Sequence, residues 1–212
     1  MGRKTHRVHY QLDSGEIKAL AEQEIVMILR AADELISTGG RSMLVKILKG
    51  SKDKKILEYG LQACPAYGFY QQLTMEEIGH RVDWTIRKGF LEIEYNGRLP
   101  MLKFSEIGWQ IERETYAEEL FQKFVSSAAE KEGSIVFQME AVNRQVKHIL
   151  LDKLGEKGTA DMIPLLEAWK VLEVKKIQSR LGGIIKALEE KQRAERENGV
   201  VIVEDFENRV RS

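Results

Sequence analysis

GRSMLVKILKGS, residues Gly40 to Ser51, is the stretch whose reading decides the fold. Met43, Leu44, Ile47 and Leu48 recur at i, i+1, i+4 and i+5. That spacing predicts a short helix over Ser42 to Leu48 with one buried face and its lysines on the other. Arg41 precedes the helix, Lys46 lies within it and Lys49 follows it. Gly50 is suited to stop the helix, and Ser51 is suited to cap a second one near Lys52 to Tyr59. Lys52, Lys54 and Lys55 come at once after Ser51. Backbone N–H groups at a helix start, flanked by lysines, suit a phosphate.

On the N-terminal side, Asp13 and Glu16 have capping-box spacing. Apolar residues then keep helical period from Ile17 to Ile36, and Thr38-Gly39-Gly40 stops the run. On the C-terminal side, Gly60 to Gln72 reads as a loop, with Pro65, Gly68, Tyr67, Phe69 and Tyr70 packing over a small core. Thr74 to Glu77 forms a second capping box. It opens a helix to about Lys88 with Ile78, Val82 and Ile86 on one face and Gly89 as the stop. Phe90 to Tyr95 alternates as a strand, Asn96-Gly97 signals a turn, and Met101 to Phe104 returns. Helices followed by a two-stranded hairpin fit a winged helix. Trp84 and Trp109 read as core or interface residues, and Cys64, the single cysteine, as a small partly buried side chain.

These residues carry a resemblance to a known family. Gly40 to Ser51 resembles the GR-x-M-L-(hydrophobic)-(K or R)-G-S signature of the RQC winged helix, a DNA-binding domain at the C-terminal side of RecQ-type helicases. The likeness continues through Tyr67-Gly68, Leu73-Thr74, Lys88-Gly89-Phe90-Leu91 and Leu102-Lys103-Phe104-Ser105, covering roughly residues 18 to 112. It implies a mainly α (α+β) fold, a winged helix with a two-stranded wing hairpin. It also implies that Lys49, Ser51 and Lys55 hold phosphates beside Arg41, Lys52 and Lys54, and that Thr74 adds a contact through its hydroxyl or N–H. Tyr95, Asn96, Arg98 and Leu99 fall at the hairpin tip, where a side chain would meet a terminal base pair. Two positions depart from the pattern. Asp83 stands mid-helix where related sequences often carry a base, and would repel DNA unless paired, with Arg87 four residues on as the nearest choice. The hairpin loop reads as short and as holding Pro100, which puts strand separation in question.

Beyond Phe124 the character changes. Val125 to Ser134 reads as a linker or loose helix end. Ile135 to Leu154, Met162 to Val174 and Lys176 to Leu188 read as three amphipathic helices, with Pro164 tolerated in a first turn. Leu154 to Leu166 and the helix pair after it resemble a HEAT-type repeat. Val200 to Val203 reads as an edge strand or a partner-binding tail. The expected organisation is a basic arm at 1–14, an RQC-like winged helix at 15–124, a helical HEAT-like domain at 125–197 and a tail at 198–212.

Thirty-three bases balance 33 acids over 212 residues, so nucleic-acid affinity has to come from local asymmetry. From Arg41 to Glu58 six bases face two acids, a net of +4. From Glu112 to Glu140 seven acids face three bases, a net of −4. One cysteine excludes an internal disulfide framework and a multi-cysteine zinc site. His6 and His9 have no neighbouring ligand, so no metal and no cofactor is expected. No G-x-x-x-x-G-K-[ST], G-x-S-x-G or H-E-x-x-H occurs, and adjacent glutamates on a helix point apart. The expectation is a stand-alone, non-catalytic protein of the cytoplasm or nucleoid. Its partner would be duplex or branched DNA, and its C-terminal helices would contact a helicase or other DNA-processing protein. A membrane is not expected. Two rivals are a sequence-specific winged-helix transcription regulator and a protein-interaction adaptor that has lost DNA binding.

Overall fold

A computed structural model describes the backbone of residues 11–210 and the side chains through residue 197. The expectations for Met1 to Tyr10, including His6 and His9, lie outside the described residues. The chain divides into two compact units, Met1–Thr115 and Tyr116–Ser212.

The first unit contains α1 (Glu22–Asp33), α2 (Arg41–Lys49), α3 (Lys54–Glu58), α4 (Met75–Arg87), β1 (Leu91–Asn96) and β2 (Leu99–Phe104). α1 starts five residues later than the periodicity indicates. Asp13 closes an Asx turn by accepting from the Gly15 N–H at 2.9 Å, instead of capping a helix. The Ala21 N–H is taken by the Glu24 carboxylate at 3.0 Å, and the helix begins there. α2 ends as expected. Gly50 has φ +74, its N–H reaches the Ile47 carbonyl, and the Ser51 N–H reaches the Lys46 carbonyl. The loop that follows depends on a second glycine. A Cβ on Gly50 would lie 3.0 Å from the Gly68 Cα, and the Gly68 N–H also bonds to Ile47. The approach is tight on the Gly50 side, where a side chain would press on the Gly68 backbone.

α3 is shorter than expected and has a different cap. Asp53, not Ser51, accepts the Lys55 N–H at 3.0 Å, while Ser51 Oγ accepts from the Asp53 N–H at 3.2 Å. In α4 the capping box forms as the sequence indicates, and Ile78 and Val82 are buried. β1 and β2 pair antiparallel from Leu91↔Phe104 to Asn96↔Leu99. The two turn residues are therefore Gly97, at φ +62, and Arg98. Pro100 lies in β2 opposite Tyr95 and not in the loop. The other edge of β2 is also occupied: Ser37 N–H donates to the Leu102 carbonyl, and Leu102 N–H donates to Gly39. Leu29, Leu44, Ile47, Leu48, Ile56, Ile78, Leu91 and Leu102 form the core.

α5 (Glu106–Glu130) begins in this unit and continues through 125–130, part of the stretch read as a linker or loose end. Gly108 is required at its start, because a Cβ there would fall 2.0 Å from the Phe90 carbonyl. Ile107 in its first turn is exposed.

In the second unit the helix expected over Ile135 to Leu154 is broken in two. α6 (Ile135–Gln138) passes through a 3-10 turn at Met139–Ala141, and α7 (Arg144–Lys157) starts anew under an Asn143 cap. α8 (Ile163–Leu172) holds Pro164 in its first turn, and α9 (Lys175–Val210) runs past Leu188. The backbone at Val200 to Val203 is helical, which rules out the edge strand. Trp169 and Phe124 are fully buried, with ring centroids 5.6 Å apart. Leu150, Leu154, Leu166 and Leu181 complete the core.

Three glutamates tie this fold to pH. Burial opposes ionisation of Glu24, but the Ala21 N–H, the Tyr70 hydroxyl and Arg81 outweigh it and hold the carboxyl below its ordinary value. Burial likewise opposes ionisation of Glu173, and bonds from Lys147 and Trp169 outweigh it. Lys153 and Gln122 lower Glu118. A carboxyl depressed in the folded state adds stability above its unfolded pKa, and that stability drains as pH falls through the folded pKa. Urea midpoints are expected to change little from pH 7 to about 5, where His148, lowered by burial, draws on stability, and to fall most below about 4.5. A midpoint unchanged down to pH 3 would contradict this assignment.

Candidate nucleic-acid interface

Of the eleven residues the sequence singles out, Arg41, Lys49 and Thr74 bond within the fold. Arg41 is the first residue of α2. Its Nε pairs with Asp83 Oδ1, and its second terminal nitrogen donates to Oδ2 at 2.8 Å. The guanidinium passes over Gly79, where a Cβ would sit 2.8 Å from it. Asp83 is 1% exposed and also accepts the Asp13 N–H at 2.9 Å. The charge that would have repelled DNA is thus buried and neutralised. Its partner is Arg41, and Arg87 bonds Ser14 instead. Lys49 donates to the Gln71 and Leu73 carbonyls at 2.6 and 2.7 Å, so it ties α2 to the loop before α4. Thr74 has both its N–H and its hydroxyl bonded to Glu77 at 2.8 Å. Its hydroxyl oxygen also accepts the Glu77 N–H. Glu76 and Glu77 place negative charge at that helix start, which disfavours a phosphate there. Tyr95 is half-buried on β1, opposite Pro100.

The start of α3 is also filled, by the protein's own carboxylate. The Lys46 hydrogen bond at 2.7 Å and the Lys55 N–H keep the Asp53 carboxyl below its usual range. With five residues and an internal anion, this helix end does not offer the phosphate cradle its position implied.

Of the remaining predicted residues, Ser51 is half-buried and the others are exposed. Lys52, Lys54 and Lys55 are all exposed; Lys54 lies 3.5 Å from Glu58, an exposed pair that contributes little. Ser51 Oγ accepts from the Asp53 N–H, which leaves its own proton free to donate. The Ser51 carbonyl is fixed by the Tyr67 hydroxyl at 3.1 Å. At the tip of the hairpin Asn96, Gly97, Arg98 and Leu99 are exposed, Leu99 at 64%. Trp84 is buried against Phe90, with Lys88 over its ring at 5.8 Å, and Cys64 is buried. Sequence reasoning passed over Tyr59, the C-cap of α3 and 70% exposed. Its place at the end of an otherwise basic helix was the only signal available.

A bonded α2–Gly50 corner, a capped α4 and a two-residue wing stand together in one unit. A profile of the RQC domain family matches residues 21–128, half of the chain. The chain belongs to the RQC domain family. RQC domains are DNA-binding winged helices found in RecQ helicases, and the domain itself is not catalytic. The ATP-dependent DNA helicase RecQ of Bacillus subtilis strain 168 is 29% identical to this chain over 86 residues, which is 41% of this chain and 14% of the helicase. This RQC protein therefore spans only a small part of that relative's length. No solved structure matches it. Among its described residues no helix is long and apolar enough to cross a membrane.

Proposed function

We propose that this RQC protein grips duplex DNA through the phosphate backbone, at or near ends, forks or junctions. The observation that carries the reading is the exposed triad Lys52, Lys54 and Lys55, set directly after the Gly50 corner in a domain whose family binds DNA. Cations that make no strong bond inside the protein can exchange their counterions for phosphates at little structural cost. Ser51 adds a hydroxyl donor beside them. Arg98 and Leu99 on the wing tip meet the terminal base pair, an arginine by stacking or phosphate contact and a leucine by apolar contact. The residues that support this interface from behind are Arg41, Lys49 and Thr74. Little side-chain chemistry for reading base edges is available on α4, so sequence preference is expected to be slight.

The second unit supports an accompanying role. Phe137, Val171, Leu172 and Val174 are each more than half exposed, a composition that fits protein contact. This favours a DNA-processing partner, such as a helicase, for the HEAT-like helices, with the nucleoid as the setting. Fluorescence anisotropy on a labelled single strand, blunt duplex, fork and four-way junction tests the whole reading. Tighter binding to any duplex-containing form than to the single strand is expected. Equal or stronger binding to the single strand would contradict it.

A further inference from the structure

A cavity of about 450 Å³ opens beside the basic turn. Leu35, Met43 and Leu61 form its apolar lining, and Glu34, Lys55 and Tyr59 contribute polar groups. Its volume is that of a small-ligand site, and its lining mixes apolar and polar groups in similar measure. Its position gives the ligand class. Lys55 belongs to the exposed lysine triad. Gly39 lines the far side, and Gly40 beside it lies against the Pro100 carbonyl, two residues from Arg98 of the wing turn. The cavity is therefore lined on one side by Lys55 of the exposed triad and on another by the Gly39 backbone, which packs on β2 of the wing hairpin. Tyr59 presents its ring to solvent at 70% exposure while lining this cavity, an arrangement that core packing does not require. Glu34, bonded to Arg30 at 3.0 Å, is an acceptor on the wall.

We infer that this cavity receives the base of one unpaired nucleotide at a DNA end, with its ring on Tyr59 and its neighbouring phosphate on Lys55. The inference rests on the duplex-DNA reading above and extends it from the backbone to a single unpaired base. A base offers a flat π-face to an aromatic ring whatever its identity, and the lysine neutralises the phosphate that comes with it.

The test uses the full chain and two duplexes that differ in one group. One carries a single unpaired adenine nucleotide at its end, and the other carries an abasic nucleotide there, with both overhang polarities examined. The base is expected to tighten binding about tenfold for one polarity, the size of one stacked base. Tyr59→Ala should bring that ratio to about one, and Tyr59→Phe should preserve it. A ratio near one in the parent protein for both polarities overturns the inference, as does a ratio that Tyr59→Ala leaves intact. If the blunt duplex binds and the ratio is one, only the base pocket fails. If no DNA binds, the duplex reading fails with it.

Discussion

Asp83→Ala is expected to destabilise the first unit by about 3 kcal/mol. The carboxylate is 1% exposed and bonds two nitrogens of Arg41 and the Asp13 N–H. Its removal leaves a guanidinium pressed against Gly79 with its counter-charge gone, together with a backbone N–H that has lost its acceptor. An unpaired, partly buried charge costs more than the pair contributed when intact. Arg41 keeps about a quarter of its side chain in water, which places the effect at the low end of the range for buried pairs. Asp83→Asn keeps the shape and one acceptor, so it should cost about 1–2 kcal/mol. Adding Arg41→Met to Asp83→Ala should recover part of the loss, because the orphaned charge is removed with its partner. Urea unfolding of the four proteins measures all of this. A loss under about 1 kcal/mol for Asp83→Ala would show that the pair does not anchor α4 to α2.

The second large effect is on binding. Replacing Lys52, Lys54 and Lys55 together with alanine should weaken duplex binding about a hundredfold or more near 0.1 M salt. It should also lower the log–log salt slope by about 3, close to one for each lost phosphate contact. All three side chains are exposed, so the melting temperature should move little. Lys49 serves as the internal contrast, since its ammonium holds the Gln71 and Leu73 carbonyls. Unaltered duplex affinity in the triple variant would place the DNA elsewhere on the protein.

What could be read from the sequence was local. The α2 stripe, the Gly50 stop and the Thr74–Glu77 box depend on residues within four or five positions, and each forms. The winged-helix architecture followed from those elements and from the motif that links them. What was not legible were partners chosen among several, some of them far along the chain. Asp83 had Arg87 at helical spacing, yet it takes Arg41, 42 residues away, because α2 crosses α4 over Gly79. Lys49 reads as a phosphate ligand in the motif, and its bonds to two carbonyls 22 and 24 residues later could not be read there. Ser51 lost the cap to Asp53, two residues on, because Lys46 also reaches that aspartate. The pairing of Ser37 and Gly39 with Leu102 gave no alternating signal, since Thr38-Gly39-Gly40 reads as a stop. The Tyr59 cavity is assembled from α2, α3 and the segments that follow α1 and α3, so no single stretch announces it.

The central claim is that this RQC protein holds duplex DNA by its phosphates. Anisotropy of one labelled blunt duplex with the unmodified chain, followed from about 0.05 to about 0.2 M salt, tests it most directly. Binding that weakens linearly in log–log form, with a slope magnitude of about 3 or more, is the predicted result. No binding at the lowest salt, or binding indifferent to salt, would contradict it.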